Sequence, residues 1–215
     1  MRAINQLVIA SENRGKWEEF QSLGKEFGIE IVPLRNWVRN PDFLGRVEKS
    51  SPGTSYLDNA RHKCLAAFGA AKVPMFADDS GLEVLGLEGK PGILSARWAP
   101  AQPGKSRDAA AREKILTMLK GKSEKDRDAR FRVALVFMVE GVIISAEADC
   151  EGKIANAERG SAGFGYDSIF VPKDGDGRTI AEMSLAEKNR FSHRAIAFRE
   201  LMQKIKEEDI HLVRP

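Results

Sequence analysis

Two carboxylates stand side by side at Asp78 and Asp79, where an apolar run over 73–77 gives way to Ser80 and Gly81. Successive strand residues point to opposite faces, so one of two neighbouring aspartates can face a ligand while the other braces the backbone. The carboxyl end of a strand in an α/β sheet is where ligands collect, and a carboxylate there can hold a cation or take a proton from water. Two acids ahead of Ser-Gly also make a good turn, so the pair reads either as a reactive centre or as a chain reversal. Alternation alone does not say which Asp faces in.

Four further groupings can carry chemistry. Ser11, Glu12, Asn13, Arg14, Gly15 and Lys16 form a polar loop between an apolar run and a helical pattern. Backbone N–H groups and the helix dipole favour an anion at such a place. The loop is no Walker A motif, because Ala10 stands where the first glycine belongs and Trp17 replaces the Ser/Thr. A simple helix cap by Asn13 beside a solvated Lys16 is the other reading. Asn59 and Lys63 are four residues apart on a helical pattern and therefore neighbours.

Gly163, Phe164, Gly165, Tyr166 and Asp167 place aromatic rings in a glycine-rich loop, where a flat apolar ligand can stack or a ring can plug the edge of the core. Lys188 and His193 lie about 140° apart on one unbroken helix and would not reach one ligand. A break capped by Ser192 would put His193 and Arg194 in a new first turn, within reach of Lys188; solvated surface charge is the alternative. His62, between two cations, and His211, near the C-terminus, read as silent. No Ser/His/Asp or Cys/His grouping is suggested.

The elements that must position these residues alternate. Strands are expected over 6–11, 29–34 and 73–77, the last stopping at the paired aspartates. Helices are expected over 16–27, where Trp17, Phe20, Leu23 and Phe27 recur at helical steps, and after a cap at Thr54. That second helix carries an apolar line of Leu57, Ala60, Cys64, Phe68 and Ala71, with Tyr56, Asn59 and Lys63 on another face. Between 34 and 52, Pro, Gly and charges break every period, so the stretch reads as irregular. A helix over 106–120, a hairpin of 130–140 with 142–148 around Gly141, a short strand over 169–171 and a last helix over 193–207 complete a mixed α/β sheet with flanking helices.

The 215 residues, 42% hydrophobic and 30% charged, suffice for a folded α/β domain without disulfides. Cys64 and Cys150 have no CxxC partner and read as reduced structural thiols, which points to a cytoplasmic protein. Basic and acidic residues, 34 and 31, are interspersed, and this argues against a nucleic-acid footprint. The longest apolar run, 133–139, is flanked by Arg132 and Glu140 and is too short to cross a membrane. No repeat or linker divides the chain, so a single domain over 1–215 is expected.

Taken together, SENRGK at 11–16, DNARHK at 58–63, ADDSGLEV with PGILSAR within 77–97, GFGYD at 163–167 and EKNRFSHR at 187–194 closely resemble, in order and spacing, the inosine triphosphate pyrophosphatase family. The match covers nearly the whole chain. The resemblance implies an elongated mixed sheet in two lobes around a central nucleotide-binding cleft, usually as a homodimer. It also implies Mg²⁺-dependent cleavage of ITP, dITP and XTP to monophosphate and pyrophosphate. By position, the general base and metal ligand falls on Asp79. Substrate contacts fall on Ser11, Glu12, Asn13, Arg14, Gly15, Lys16, Lys63, Ser80, Phe164, Gly165, Tyr166, Asp167, Lys188, His193 and Arg194. Lys16 and Lys63 neutralise phosphates, Phe164 stacks on the purine, and Asp167, Lys188, His193 and Arg194 line the base pocket.

Three positions depart from the family pattern. Ser51 stands where a metal-holding glutamate is usual, with Glu48 the nearest acid upstream. Glu12 replaces a glycine beside the expected phosphates, and Ser168 replaces a proline. Two other readings follow: a nucleotide-binding or sensing protein that has lost turnover, and a pyrophosphatase with altered base preference.

Overall fold

The computed structural model describes residues 6–49, 53–208 and 210, with the side chains of 48 and 49 left aside. It has six strands, β1 (Gln6–Ile9), β2 (Glu30–Pro33), β3 (Met75–Val84), β4 (Asp128–Val139), β5 (Val142–Ile154) and β6 (Phe170–Pro172), in the order β2-β1-β3-β4-β5-β6. β1 runs parallel to β2 and to β3, with Val8 opposite Met75 and Ile9 opposite Phe76. β4 and β5 are sheet neighbours joined by two residues, a link too short for anything but a hairpin; Gly141 takes φ 80° in it. β5 pairs antiparallel with β6. The sheet is mixed, as the alternation of patterns predicts.

The chain forms two compact units. One holds residues up to Asp79 with Val133–Ala148 and Arg194 onward; the other holds Ser80–Arg132 and Asp149–His193. In the first unit, α1 (Arg14–Gly24) starts where Asn13 Oδ1 accepts the Lys16 N–H at 3.0 Å. It buries Phe20 and Leu23, while Trp17 Nε1 donates to the Ile31 carbonyl at 3.1 Å. Three fully buried rings bind this unit: Phe20 lies 4.9 Å edge-on to Phe76 and 5.5 Å from Phe198, which is 5.6 Å from Phe76. Such rings each contribute roughly 3–5 kcal/mol when tested by truncation. Their positions fix α1, β3 and α6 (His193–Glu207) against one another.

Two helices differ from the sequence expectation. The stretch read as irregular contains α2 (Pro41–Lys49), capped by Asn40, whose Oδ1 accepts the Phe43 N–H at 3.0 Å. Pro41 suits the first helical position and Leu44 and Val47 are buried, so the signals that read as breakers are start signals. α3 (Tyr56–Ala71) is capped by Ser55, not Thr54: Ser55 Oγ accepts the Asp58 N–H at 3.1 Å. Its buried residues are Tyr56, Asn59, Ala60, Lys63, Cys64 and Ala67, so the polar face expected to lie apart is turned inward with the apolar one. Ser55→Ala should cost about 1 kcal/mol of stability, read by urea denaturation at neutral pH; no loss would remove Ser55 as the cap.

In the second unit α4 (Arg107–Met118), capped by Ser106, packs Ala110, Ala111 and Ile115 with Leu82, Val84, Phe131, Tyr166, Ile169 and Phe170. Beyond α4, buried Arg127 donates to the carbonyls of Leu119, Ile154 and Ala155. α5 (Leu185–Lys188) opens on a capping box of Ser184 and Glu187, and helical structure resumes only at His193, so the predicted break is present. No helix among the described residues is long and apolar enough to cross a membrane. Cys64 and Cys150 are free and buried, and burial pushes both thiols up to about 12.

Candidate active site

The paired aspartates do not end a strand. β3 continues to Val84, but its parallel neighbour β1 stops at Ile9, past which the Ala10 N–H donates to the Phe76 carbonyl at 2.8 Å. Asp78 and Asp79 therefore stand just past the carboxyl end of β1, in strand conformation. Alternation sends them to opposite faces. Phe76 and Asp78 share a face, and that face carries α1 and α6.

On that face a chain of charges lies beside the three rings. Lys16 Nζ is 3.0 Å from Asp78 Oδ2, Arg194 Nε is 3.5 Å from the same oxygen, and Arg194 Nη1 is 3.0 Å from Glu19 Oε2. The sequence places these groups: Glu19 precedes Phe20, Asp78 lies two residues after Phe76, and Arg194 lies one helical turn before Phe198. Burial would raise the Asp78 carboxyl, but Lys16, Arg194 and Lys63 outweigh it and hold the group down at about 2.

On the other face α3 meets Asp79. Lys63 Nζ is 2.6 Å from Asp79 Oδ1 and 3.4 Å from the Asp78 carbonyl, and Asn59 Nδ2 donates to Asp79 Oδ2 at 3.0 Å. Asn59 Oδ1 accepts the Gly53 N–H at 2.9 Å, which fixes the amide's orientation. The Asp78 side chain is wholly sealed, whereas Asp79 keeps 10% of its side-chain surface. Asp79 is thus the acid that solvent can reach.

In the first loop, the Asn13 N–H donates to Ser11 Oγ at 3.2 Å, and exposed Arg14 pairs with Glu18 at 2.6 Å. Glu12 lies 3.7 Å from Arg35, a cation that offsets the acid standing where glycine is usual. Ser51 lies outside the described residues, as do the Glu48 side chain and His211. Ser80 follows Asp79 in β3, half-buried.

The second unit gathers Phe164, Asp167, Lys188 and His193. Asp167 Oδ2 accepts from Lys188 Nζ at 2.6 Å and from the Phe164 N–H at 3.1 Å; Lys188 Nζ lies 5.3 Å from the half-buried Phe164 ring. His193 stacks on Phe131 with centroids 4.8 Å apart. A Cβ at Gly163, whose φ is 74°, would collide with the Asp167 carboxylate, so this position accepts only glycine. The Tyr166 hydroxyl donates to the Ser95 carbonyl at 2.7 Å, linking GFGYD to the PGILSAR segment. Arg194, the residue after His193, belongs to the first unit, where it pairs with Asp78 and Glu19. Ser168 Oγ donates to Glu158 at 3.0 Å.

Glu19 joins this centre without standing in any of the sequence groupings, whereas Asn59 stands in one with Lys63. Glu19 carries a signal, three residues after Lys16, and Asn59 another, four before Lys63; their partners, Arg194 and Asp79, are remote in the chain.

Cations and carboxylates thus crowd past the carboxyl end of a parallel strand, where ligands collect in α/β proteins. The particular family follows from its relatives. The chain belongs to the Ham1 family, whose model matches residues 7–204. It is 39% identical over 199 residues to a dITP/XTP pyrophosphatase of Geobacillus kaustophilus, covering 92% of this chain and 93% of that protein. It is also 39% identical over 202 residues to the dITP/XTP pyrophosphatase of Bacillus subtilis, covering 94% and 97%. Among solved structures it resembles the Staphylococcus aureus Ham1 protein, with TM-score 0.76, 32% identity and coverage of 94% and 99%. A HAM1 protein from Coxiella burnetii gives TM-score 0.75 at 30% identity, covering 95% and 100%.

Proposed function

We infer that the protein hydrolyses deaminated purine nucleoside triphosphates (ITP, dITP and XTP) between the α and β phosphates, releasing a nucleoside monophosphate and pyrophosphate. The relatives' names support the activity. The observation that carries the assignment to this site is Asp79: a carboxylate just past a parallel strand end, buried but not wholly sealed, gripped by Lys63 and Asn59. The reading extends to a single functional domain over 1–215, a homodimer and a cytoplasmic location, all three resting on the family resemblance, with neither nucleic acid nor membrane as partner.

In this reading Lys63 turns from Asp79 to a phosphate oxygen when the nucleotide arrives, which frees Asp79 Oδ1 to take the proton of an attacking water. Asn59 keeps the other oxygen fixed. Water oxygen bonds to the α-phosphorus, the bridge oxygen to the β-phosphorus leaves with pyrophosphate, and the water's proton goes to Asp79. Lys16, at the start of α1, draws the phosphates toward the backbone N–H groups of the first loop. Phe164 stacks on the purine. Lys188 supplies a donor to a 6-oxo group, where the amino group of adenine would meet donor with donor.

The residues fit Mg²⁺ as a substrate-borne ion. Asp79 would hold the ion together with phosphate oxygens and water, the usual arrangement for this ion. Charge gives a reason for it. Lys16, Lys63 and Arg194 are matched by Asp78, Asp79 and Glu19, so the centre does not by itself neutralise a triphosphate. Bound with the nucleotide, Mg²⁺ would supply that neutralisation.

The test is incubation with ITP, XTP, dGTP and ATP, with and without Mg²⁺, separating pyrophosphate from orthophosphate. Pyrophosphate from ITP and XTP, dependent on Mg²⁺ and far above that from ATP, is expected. Orthophosphate alone would overturn the bond assignment, and tight ITP binding without turnover would identify a sensing protein instead.

A further inference from the structure

Phe164 lies between two glycines in the left-handed region, Gly163 at φ 74° and Gly165 at φ 59°. Residues without a Cβ do little to fix the direction of the ring between them. That direction is set by whatever holds the flanking peptides. Asp167 accepts the Phe164 N–H on one side. On the other side the grip comes from α4: Asp108 Oδ2 accepts the Gly165 N–H at 3.1 Å, and Arg112 Nη1 donates to the Gly165 carbonyl at 2.8 Å.

Asp108 and Arg112 are one turn apart on α4, so a single helix face holds one glycine by both of its backbone groups. Arg112 is braced in turn. Its Nε is 2.9 Å from Glu158 Oε2, and the same oxygen accepts from Ser168 Oγ at 3.0 Å. The Arg112 side chain is only 18% exposed, so its donors are partly shielded from competing water.

We propose that Asp108 and Arg112 are positioning residues that set base selectivity by fixing the Phe164 ring relative to Lys188. The proposal rests on the reading of Phe164 as the base-stacking residue. Discrimination between a 6-oxo and a 6-amino group depends on where the edge of the stacked base meets its donor. With the ring 5.3 Å from Lys188 Nζ, a tilt of Gly165 moves that edge with the ring. Ser106 caps the helix through the Ala109 N–H at 3.1 Å, so the start of α4 and the aromatic loop are tied into one unit.

The experiment compares kcat and KM for ITP and ATP in the wild type, Arg112→Ala, Arg112→Lys, Asp108→Ala and Asp108→Asn, with urea denaturation of each. Losing a charged hydrogen bond to the loop should raise the KM for ITP about tenfold in Arg112→Ala and lower the ITP-to-ATP ratio of kcat/KM about tenfold. kcat should stay within about twofold, because the clamp touches neither Asp79 nor its lysine. Asp108→Ala should repeat this pattern. Arg112→Lys should recover part of it through one remaining donor, and Asp108→Asn most of it through its amide oxygen. A purely structural role would lower kcat equally for both substrates through less folded enzyme, leaving KM and the ratio unchanged, and that result overturns the proposal. A wild type that does not cleave ITP defeats the functional reading itself, and the proposal with it. A selective wild type with an equally selective Arg112→Ala defeats only the clamp.

Discussion

Asp79→Asn should lower pyrophosphate release from ITP by about a thousandfold while leaving nucleotide binding intact, since a positioned general base contributes roughly 10²–10⁴ and an amide cannot take the proton. The geometry makes binding the more telling half. In the resting protein Lys63 Nζ lies 2.6 Å from Asp79 Oδ1, so the cation that the proposed mechanism gives to a phosphate is already engaged, and the carboxylate would repel the triphosphate. Removing the charge frees Lys63 and ends the repulsion. ITP affinity measured by calorimetry in EDTA should therefore match or exceed that of the wild type, even as turnover collapses. Lys63→Met should do the opposite, weakening ITP binding while leaving Asp79 with Asn59 as its partner. An unchanged rate in Asp79→Asn would remove this residue as the base, and lost affinity without metal would remove Lys63 as the phosphate ligand.

How far these roles were legible in the sequence depended on whether their partners lay near in the chain. Strand, polar loop and helix at the start follow from local periodicity, and the last helix begins at His193 as its pattern suggests, because a helix face is written at steps of three and four. α2 was hidden because its signals, Asn40 ahead of Pro41 and a glycine within, resemble loop residues until Leu44 and Val47 are seen packed. β3 was cut short for a related reason. Two aspartates look like a terminus, yet they remain in strand conformation because lysines and Arg194 neutralise them, and no local pattern announces partners 16 to 116 residues away. The same distance hides the partners of Arg194, which pairs with Glu19 and Asp78.

Asp78→Asn should behave quite differently from its neighbour, costing about 3 kcal/mol of stability, because removing one partner from a buried charge cluster leaves the others uncompensated. Asp78 Oδ2 faces Lys16 at 3.0 Å and Arg194 at 3.5 Å, and its side chain is wholly buried. Glu19 still balances Arg194, so Lys16 is the cation left most exposed to the loss. The double variant Asp78→Asn with Lys16→Met should therefore be more stable than Asp78→Asn alone when both are unfolded in urea at neutral pH. Acid gives a second reading of the same charge. The folded protein holds the Asp78 carboxyl at about 2, below its ordinary 3.8, so the stabilisation is complete above pH 4 and drains away as the pH falls toward 2. The variant should lack that slope. A loss below about 0.5 kcal/mol, with an acid profile unchanged from the wild type, would show that the cluster is not what holds α1, β3 and α6 in register beneath the reactive carboxylate.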